Sequence, residues 1–377
     1  MDEKVINLAS LPFSRAMLLK GRLESEGIEC FITNVNLIQP AISTGVKIFV
    51  KEKDLSKALK IVSKIETEYS KEKIADLKVD TKLRKILVPV DFSHYSFIAA
   101  DLATHIASKL DAEIHLLHAY FNPVVNIAPL FDANTYPANM NNVVESIELK
   151  AKEQLIDFEE KILQNVKQFT DKEIIIKHSL IFGTAADTIL YLCEDYKPDL
   201  VVMGTKGKGD RADDIVGSVT NKVIKNSNIP VLVIPQKFEY NNFDEIKNIL
   251  YVTDFDDSDY RAIWKLASLI SPFEMKLYCL HIGETSEIFW GKSKMDVLKP
   301  HIKRTFPKIS LSCEVIQSND RAEAIQKYIN SKNIDILSFT SHKKTLLEAI
   351  FFPDTFKQML FQSTIPVFVF PSQKSNS

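Results

Sequence analysis

Apolar residues in this chain follow two rhythms, short unbroken runs and longer stretches of helical period, and their alternation divides it into three segments. Residues 1–70 read as β-α-β-β-α. Val5 to Leu8 predicts a short strand, and Ser14 to Glu26 a helix that Gly27 can close in the left-handed conformation. Ile28 to Thr33 and Val46 to Val50 predict strands, and Asp54 to Glu68 a helix with Leu55, Ala58, Leu59, Ile61, Val62 and Ile65 on one face. The charged and polar stretch that follows reads as a linker, placed at 71–82.

Residues 83–236 alternate strand and helix. The predicted strands are Lys85–Val90, Glu113–Ala119, Glu173–His178, Asp199–Met203 and Pro230–Ile234. Helices are predicted over Tyr95–Leu110, Val143–Phe169, Ala185–Tyr196 and Ser218–Asn226. Apolar strands of four to six residues between helices predict a parallel sheet covered on both faces.

Residues 245–372 repeat that order. Ile86-Leu-Val-Pro-Val-Asp-Phe92 aligns with Ile249-Leu-Tyr-Val-Thr-Asp-Phe255 at an offset of 163. From Gly183 onward the offset is 136, pairing Asp199 with Asp335 and Ile229-Pro-Val231 with Ile365-Pro-Val367. The chain is therefore an internal duplication. The first copy is longer, and part of its excess is Phe121 to Asn142, rich in Pro and Asn and without helical period. Such an apolar loop suits a lid, a partner contact, or packing on its own domain.

The 377 residues carry 47 Lys+Arg against 49 Asp+Glu, and 45% are hydrophobic. This is the balance of a globular protein, and near-neutral charge argues against nucleic-acid binding by bulk electrostatics. The four cysteines, Cys30, Cys193, Cys279 and Cys313, have no CxxC spacing, so neither a disulfide framework nor a structural zinc site is expected. No apolar run reaches membrane-spanning length, and Met-Asp-Glu-Lys does not open a signal peptide. The expected location is the cytoplasm, with no membrane partner.

Glycine is scarce, at 10 residues, yet Gly204, Gly207, Gly209 and Gly217 fall close together. They lie in Met203-Gly-Thr-Lys-Gly-Lys-Gly-Asp-Arg-Ala-Asp-Asp-Ile-Val-Gly-Ser218, between a predicted buried strand and a predicted helix. Glycines let backbone N–H groups converge on an anion, and a helix N-terminus adds a positive dipole. Lys206, Lys208 and Arg211 either neutralise phosphate charge or are simply solvated. The segment is neither a Walker loop nor a GxGxxG fingerprint.

The spacing Gly204-x2-Gly207-x9-Gly217-Ser218 resembles the nucleotide loop of ATP-binding universal stress proteins. Val88-Pro-Val-Asp-Phe-Ser93 is similar to that family's opening strand, and Ile229-Pro-Val-Leu-Val-Ile234 to its closing strand. Residues 83–236 resemble the ATP-binding branch, and 245–372 a degenerate second copy. The resemblance implies two tandem doubly wound five-stranded α/β domains of adenine nucleotide α-hydrolase type. It also implies ATP as ligand, with magnesium as a companion ion. Pro89, Val90 and Asp91 would meet the ribose or adenine side, and Ala119 would offer backbone to adenine. Met203 and Gly204 would line the nucleoside, and Gly207, Gly217, Ser218, Val219 and Thr220 would hold phosphates. Residues 1–70 resemble small bacterial signal-transducing domains of ferredoxin-like α+β type, with no motif to assign roles.

At the equivalent loop of the second copy stand Thr340, Lys343, Pro353 and Asp354, and Asp354 would place a carboxylate where an anion should bind. One ATP per chain is therefore expected. The acidic cluster Asp254, Asp256, Asp257 and Asp259 lacks the glycine and distal Glu of a calcium loop and reads as a helix start. His115 and His118 point to opposite faces of one predicted strand, and Cys279 and His281 share a face without a second ligand pair, so no metal site is expected at either place. The expected function is nucleotide binding in stress response or signalling, without catalysis, because nothing supplies a general base or second cation for γ-phosphate attack. The rival is a nucleotide-independent scaffold. An α-hydrolase enzyme would need an SGGxDS-type loop, which Asp91-Phe-Ser-His-Tyr-Ser96 does not provide. In the family the closing strands pair antiparallel, so Val231–Ile234 and Val367–Phe370 are expected to join the two copies. A homodimer and an unidentified protein partner are further expectations.

Overall fold

The structure, a computed structural model, describes residues 5–11, 13–35, 46–75, 83–120, 140–205, 217–235, 237–238, 243–255, 257–283, 285–341 and 365–372. In chain order the strands are β1 (Val5–Leu11), β2 (Cys30–Thr33), β3 (Val46–Lys51), β4 (Lys85–Pro89), β5 (Glu113–Tyr120), β6 (Ile176–Phe182) and β7 (Leu200–Gly204). They continue as β8 (Val231–Ile234), β9 (Asn248–Val252), β10 (Lys276–Gly283), β11 (Ser310–Gln317), β12 (Ile336–Ser341) and β13 (Val367–Pro371). The helices are α1 (Phe13–Ser25), α2 (Leu55–Ala75), α3 (His94–Leu110), α4 (Met140–Phe169), α5 (Ala185–Asp195) and α6 (Ser218–Asn226). After these come α7 (Asp257–Ile270), α8 (Thr285–Thr305) and α9 (Arg321–Lys332). The chain forms two compact units, residues 1–79, 252–267 and 276–328, and residues 80–251, 268–275 and 329–377. The boundary runs through the second α/β copy.

In the first unit, β1 and β2 flank β3 in an antiparallel sheet. Leu8, Leu19, Leu23, Ile28, Ile48, Val50 and Val62 are buried beneath it. Gly27 closes α1 with φ +75°, and Ile28 N–H and Gly27 N–H reach back to Leu23 O and Glu24 O, a Schellman cap. The linker expected at 71–82 is in part helical, because α2 runs on to Ala75. Its tail of Lys, Glu and Ala looks like a linker by polarity but has high intrinsic helix propensity. The Arg15 guanidinium also sits 4.3 Å from the centre of the Tyr69 ring. α2 packs against α8, where Ser63 and Ser293 hydroxyls are hydrogen-bonded at 2.7 Å. β10 and β11 pair in parallel under α8.

In the second unit the strands are ordered β9-β12-β13-β8-β7-β4-β5-β6. The pairs are parallel except one: β13 runs antiparallel to β8, with Val367, Phe368 and Val369 opposite Val233, Leu232 and Val231. This is the seam expected between the closing strands. β7 and β8 are buried along nearly their whole length, as parallel strands covered on both faces must be. α3 packs with α4, and α5 with α6, layering helices on the sheet. The third strand of the first copy differs from expectation. The apolar Ile174 and Ile175 precede it, and β6 starts at Ile176 because its register follows β5 out to Tyr120 opposite Phe182. Helix α4 likewise begins at Met140, ahead of the expected Val143.

The duplication is visible in a clamp at the start of each copy. Asp199 Oδ2 accepts from Arg84 N–H (2.8 Å) and Lys85 N–H (3.1 Å). Asp335 Oδ2 accepts from Lys247 N–H and Asn248 N–H, both at 2.8 Å. Each aspartate thereby ties the fourth strand of its copy to the first. Asp199→Ala should cost about 1 kcal/mol, since two N–H groups lose a charged acceptor but remain near solvent. A urea midpoint lowered at unchanged m value is the expected result.

Candidate functional site

Strand order in the first copy is β8-β7-β4-β5-β6, all parallel. The chain leaves β4 towards β5 on one side and returns through β7 towards β8 on the other. The crevice beyond the carboxyl ends of β4 and β7 is thus a topological switch point, where open α/β sheets bind ligands. Pro89-Val90-Asp91 leaves β4 at this point, Ala119 lies near the end of β5, and Met203-Gly204 ends β7.

The β4 end is held from below and from the side. Val90 N–H donates to Leu117 O at 2.8 Å, and His118 Nδ1 is 2.7 Å from Val90 O. That contact requires the tautomer with hydrogen on Nδ1. Asp91 Oδ1 accepts from Ser93 N–H (3.1 Å) and Ser93 Oγ (2.5 Å). Ser93 Oγ in turn caps α3 by accepting from Ser96 N–H at 3.2 Å. Squeezed between them, Phe92 has φ +60°, an uncommon conformation for a bulky residue. Its ring lies 4.2 Å from His118 and edge-on to Phe158 at 5.9 Å.

At the end of β7, Met203 is buried and Gly204 half-buried. Thr205 N–H donates to Ile234 O, and Gly217 N–H returns to Thr205 O at 2.8 Å, so the two ends of the glycine loop meet. Residues 206–216, with Gly207, Gly209, Lys206, Lys208 and Arg211, lie outside the described residues, as do 121–139 of the stretch Phe121 to Asn142. Gly217 is the N-cap of α6, without a side chain to satisfy the first-turn N–H groups. Ser218 is exposed, Val219 half-buried, and Thr220 is buried with its hydroxyl donating to Gly204 O at 2.8 Å. Thr220 therefore ties the helix start to the strand end.

Two features of this arrangement were not assigned in the sequence. They are the carbonyl contact of His118, which by type alone reads as a candidate metal ligand, and the turn that Asp91 makes with Ser93. A signal existed, since both histidine and phenylalanine recur at the offset of 163. His281 Nδ1 is 2.7 Å from Thr253 O, Phe255 has φ +58°, and their rings lie 5.2 Å apart. The backbone device at the strand end is thus built twice.

What fills the second device differs. Thr340, fully buried, stands at the Gly204 position and is hydrogen-bonded at 2.5 Å to the Tyr251 hydroxyl, which occupies the place of Val88. Asp254, the counterpart of Asp91, is ion-paired with Arg321 at 3.1 Å. Lys294, buried, places its ammonium 5.5 Å from the Phe255 ring centre, where Phe158 faces Phe92 in the first copy. Asp259 is buried and accepts from Thr253 Oγ1 (3.0 Å) and Asp254 N–H (2.8 Å), a helix-start role. Lys343, Pro353 and Asp354 lie outside the described residues. Among the described residues no group of three or more His, Cys, Asp or Glu could hold a metal ion, and no helix is long and apolar enough to cross a membrane.

A doubly wound α/β domain with a glycine loop at its switch point is the class these features define. Residues 82–235 match the universal stress protein family, and residues 14–66 match a family described as "Putative prokaryotic signal transducing protein". A universal stress protein of Methanocaldococcus jannaschii is 31% identical over 155 residues, 41% of this chain and 96% of that one. Another, from Synechocystis, is 22% identical over 311 residues, 76% of this chain and all of its own length. The solved structure of a universal stress protein from Archaeoglobus fulgidus shares the fold, with a TM-score of 0.55 and 18% identity, over 78% of this chain and 97% of that chain. The chain belongs to the universal stress protein family.

Proposed function

We propose that the first α/β copy binds one ATP per chain and that the protein acts in the cytoplasm as a nucleotide-binding stress or signalling protein rather than as an enzyme. The observation that carries this reading is the meeting of three backbone features at one crevice. They are the turn Pro89-Val90-Asp91, the strand end Met203-Gly204, and the uncapped start of α6 tied to it through Thr220. Backbone N–H groups at Gly217, Ser218, Val219 and Thr220, with the α6 dipole, suit the phosphates, and Gly207 belongs to the same loop. Asp91 serves the sugar or base end, since a carboxylate engaged with Ser93 retains further acceptor sites. Ala119 supplies backbone on the adenine side, and magnesium would accompany the phosphates. Thr340, Tyr251 and Arg321 support silence of the second copy, because side chains occupy the places that correspond to Gly204 and the Asp91 surroundings.

Isothermal titration with ATP, ADP, AMP and cyclic AMP tests the reading. The expected stoichiometry is one per chain. Two sites would overturn the silence of the second copy. No heat, together with no nucleotide released on denaturation of the purified protein, would leave the fold as a nucleotide-independent scaffold.

A further inference from the structure

β10 and β11 run parallel and in register, and the register sets Cys279 directly opposite Cys313. In-register residues on neighbouring strands face the same side of the sheet, with backbones ~4.8 Å apart. That spacing falls within the range a disulfide spans, roughly 4.4–6.8 Å between Cα atoms. Both residues are free thiols, Cys279 fully buried and Cys313 half-buried. Their contact with each other pushes the Cys279 thiol up and the Cys313 thiol down. Burial opposes the second effect, and Lys299 and Lys303 of the overlying α8 favour it, against Asp296. The remaining cysteines have the opposite character. Burial pushes Cys193 up to about 11 and also raises Cys30. Among the four thiols, Cys313 alone is half-buried rather than buried and is shifted towards ionisation, and a second thiol stands beside it on the next strand.

We propose that Cys313 and Cys279 form a peroxide-oxidisable dithiol, with Cys313 as the attacking sulfur and Cys279 as the resolving one. In the first step the Cys313 thiolate attacks an oxygen of hydrogen peroxide. The S–O bond forms, the O–O bond breaks, and the departing hydroxide takes up a proton to leave as water. Cys313 is then a sulfenic acid, oxidised by two electrons. In the second step Cys279 sulfur attacks Cys313 sulfur, the S–S bond forms and the S–O bond breaks. The hydroxide released takes the Cys279 proton and leaves as a second water. Two thiols and one peroxide thus give a disulfide and two waters, and a thiol reductant restores the pair. This site is independent of nucleotide.

The test uses the reduced full-length chain with near-stoichiometric hydrogen peroxide, followed by alkylation under denaturing conditions and mass spectrometry. The expected product is lighter by about 2 Da before alkylation, the loss of two hydrogens, and takes up alkyl groups only at Cys30 and Cys193. Its digest should contain one cross-linked pair joining Cys279 to Cys313, released by dithiothreitol, with Cys30 and Cys193 fully alkylated. Cys279→Ala should stop at a sulfenic acid on Cys313 that dimedone captures. Cys313→Ser should slow thiol loss at least ~10-fold. Circular dichroism establishes that the variants fold, and the wild-type digest decides the matter without them. Oxidation of Cys30 or Cys193 as fast as Cys313, oxidation of Cys313 without linkage to Cys279, or no thiol loss at all would overturn the proposal.

Discussion

Leu232→Asp is expected to lower folding stability by roughly 4 kcal/mol, the largest effect of any single change considered for this chain. Leu232 is 2% exposed and lies in β8 between Val202 of β7 and Phe368 of β13. A carboxylate there has backbone ladders on both sides and apolar neighbours above and below. It either stays charged at a cost of several kcal/mol or takes up a proton and still displaces a well-packed leucine. Leu232→Met, nearly equal in volume, should cost less than ~1.5 kcal/mol. Urea unfolding followed by circular dichroism compares the two. A Leu232→Asp protein that melts within about 1 kcal/mol of wild type would mean that the seam between β8 and β13 is not formed in solution.

The second large effect is a contrast between the two ends of the nucleotide. Asp91→Ala should weaken AMP, ADP and ATP by similar factors, on the order of 1–3 kcal/mol, or roughly 5- to 150-fold. Because Asp91 also shapes the turn through Ser93, Asp91→Asn is the informative companion. It keeps an oxygen for Ser93 and removes the charge. Ser218→Ala, at the exposed start of α6, should weaken ATP and ADP and spare adenosine, since only phosphate meets the helix dipole. Titration of four ligands into three variants reads the pattern. If adenosine affinity fell with Ser218→Ala and held with Asp91→Ala, the nucleoside and phosphate ends would be reversed.

The sequence was most legible where one physical demand dominates. The strands at Lys85–Pro89, Leu200–Gly204 and Val231–Ile234 are apolar because both faces are covered, and their positions followed directly. The duplication followed as well, and with it the antiparallel pairing of the closing strands. Legibility failed where two demands produce the same pattern. The Lys- and Glu-rich end of α2 satisfies both a linker and a solvated helix, and only packing separates them. β6 starts later than its apolar residues suggest because its partner β5 sets the register. At the site, the glycines and Asp91 stand out by type, whereas His118 acts through the Val90 carbonyl, 28 residues away in sequence. Such a contact leaves no local spacing, and only its repetition at His281 marks it.

The seam between β8 and β13 joins strands of a single chain, and that has a consequence for response. In a pair of identical subunits every substitution appears twice, so both sites stand or fall together and each can sense the other. Here the partner strand is supplied covalently, at an effective concentration that dilution cannot change. The two copies are therefore free to diverge: Thr340 stands where Gly204 does in the first, and Asp254, the counterpart of Asp91, is held by Arg321. If one crevice per chain binds nucleotide, as proposed, a titration curve has nothing within the molecule to steepen it. Saturation of one such chain should follow a simple hyperbola, a graded reading of nucleotide level rather than a threshold.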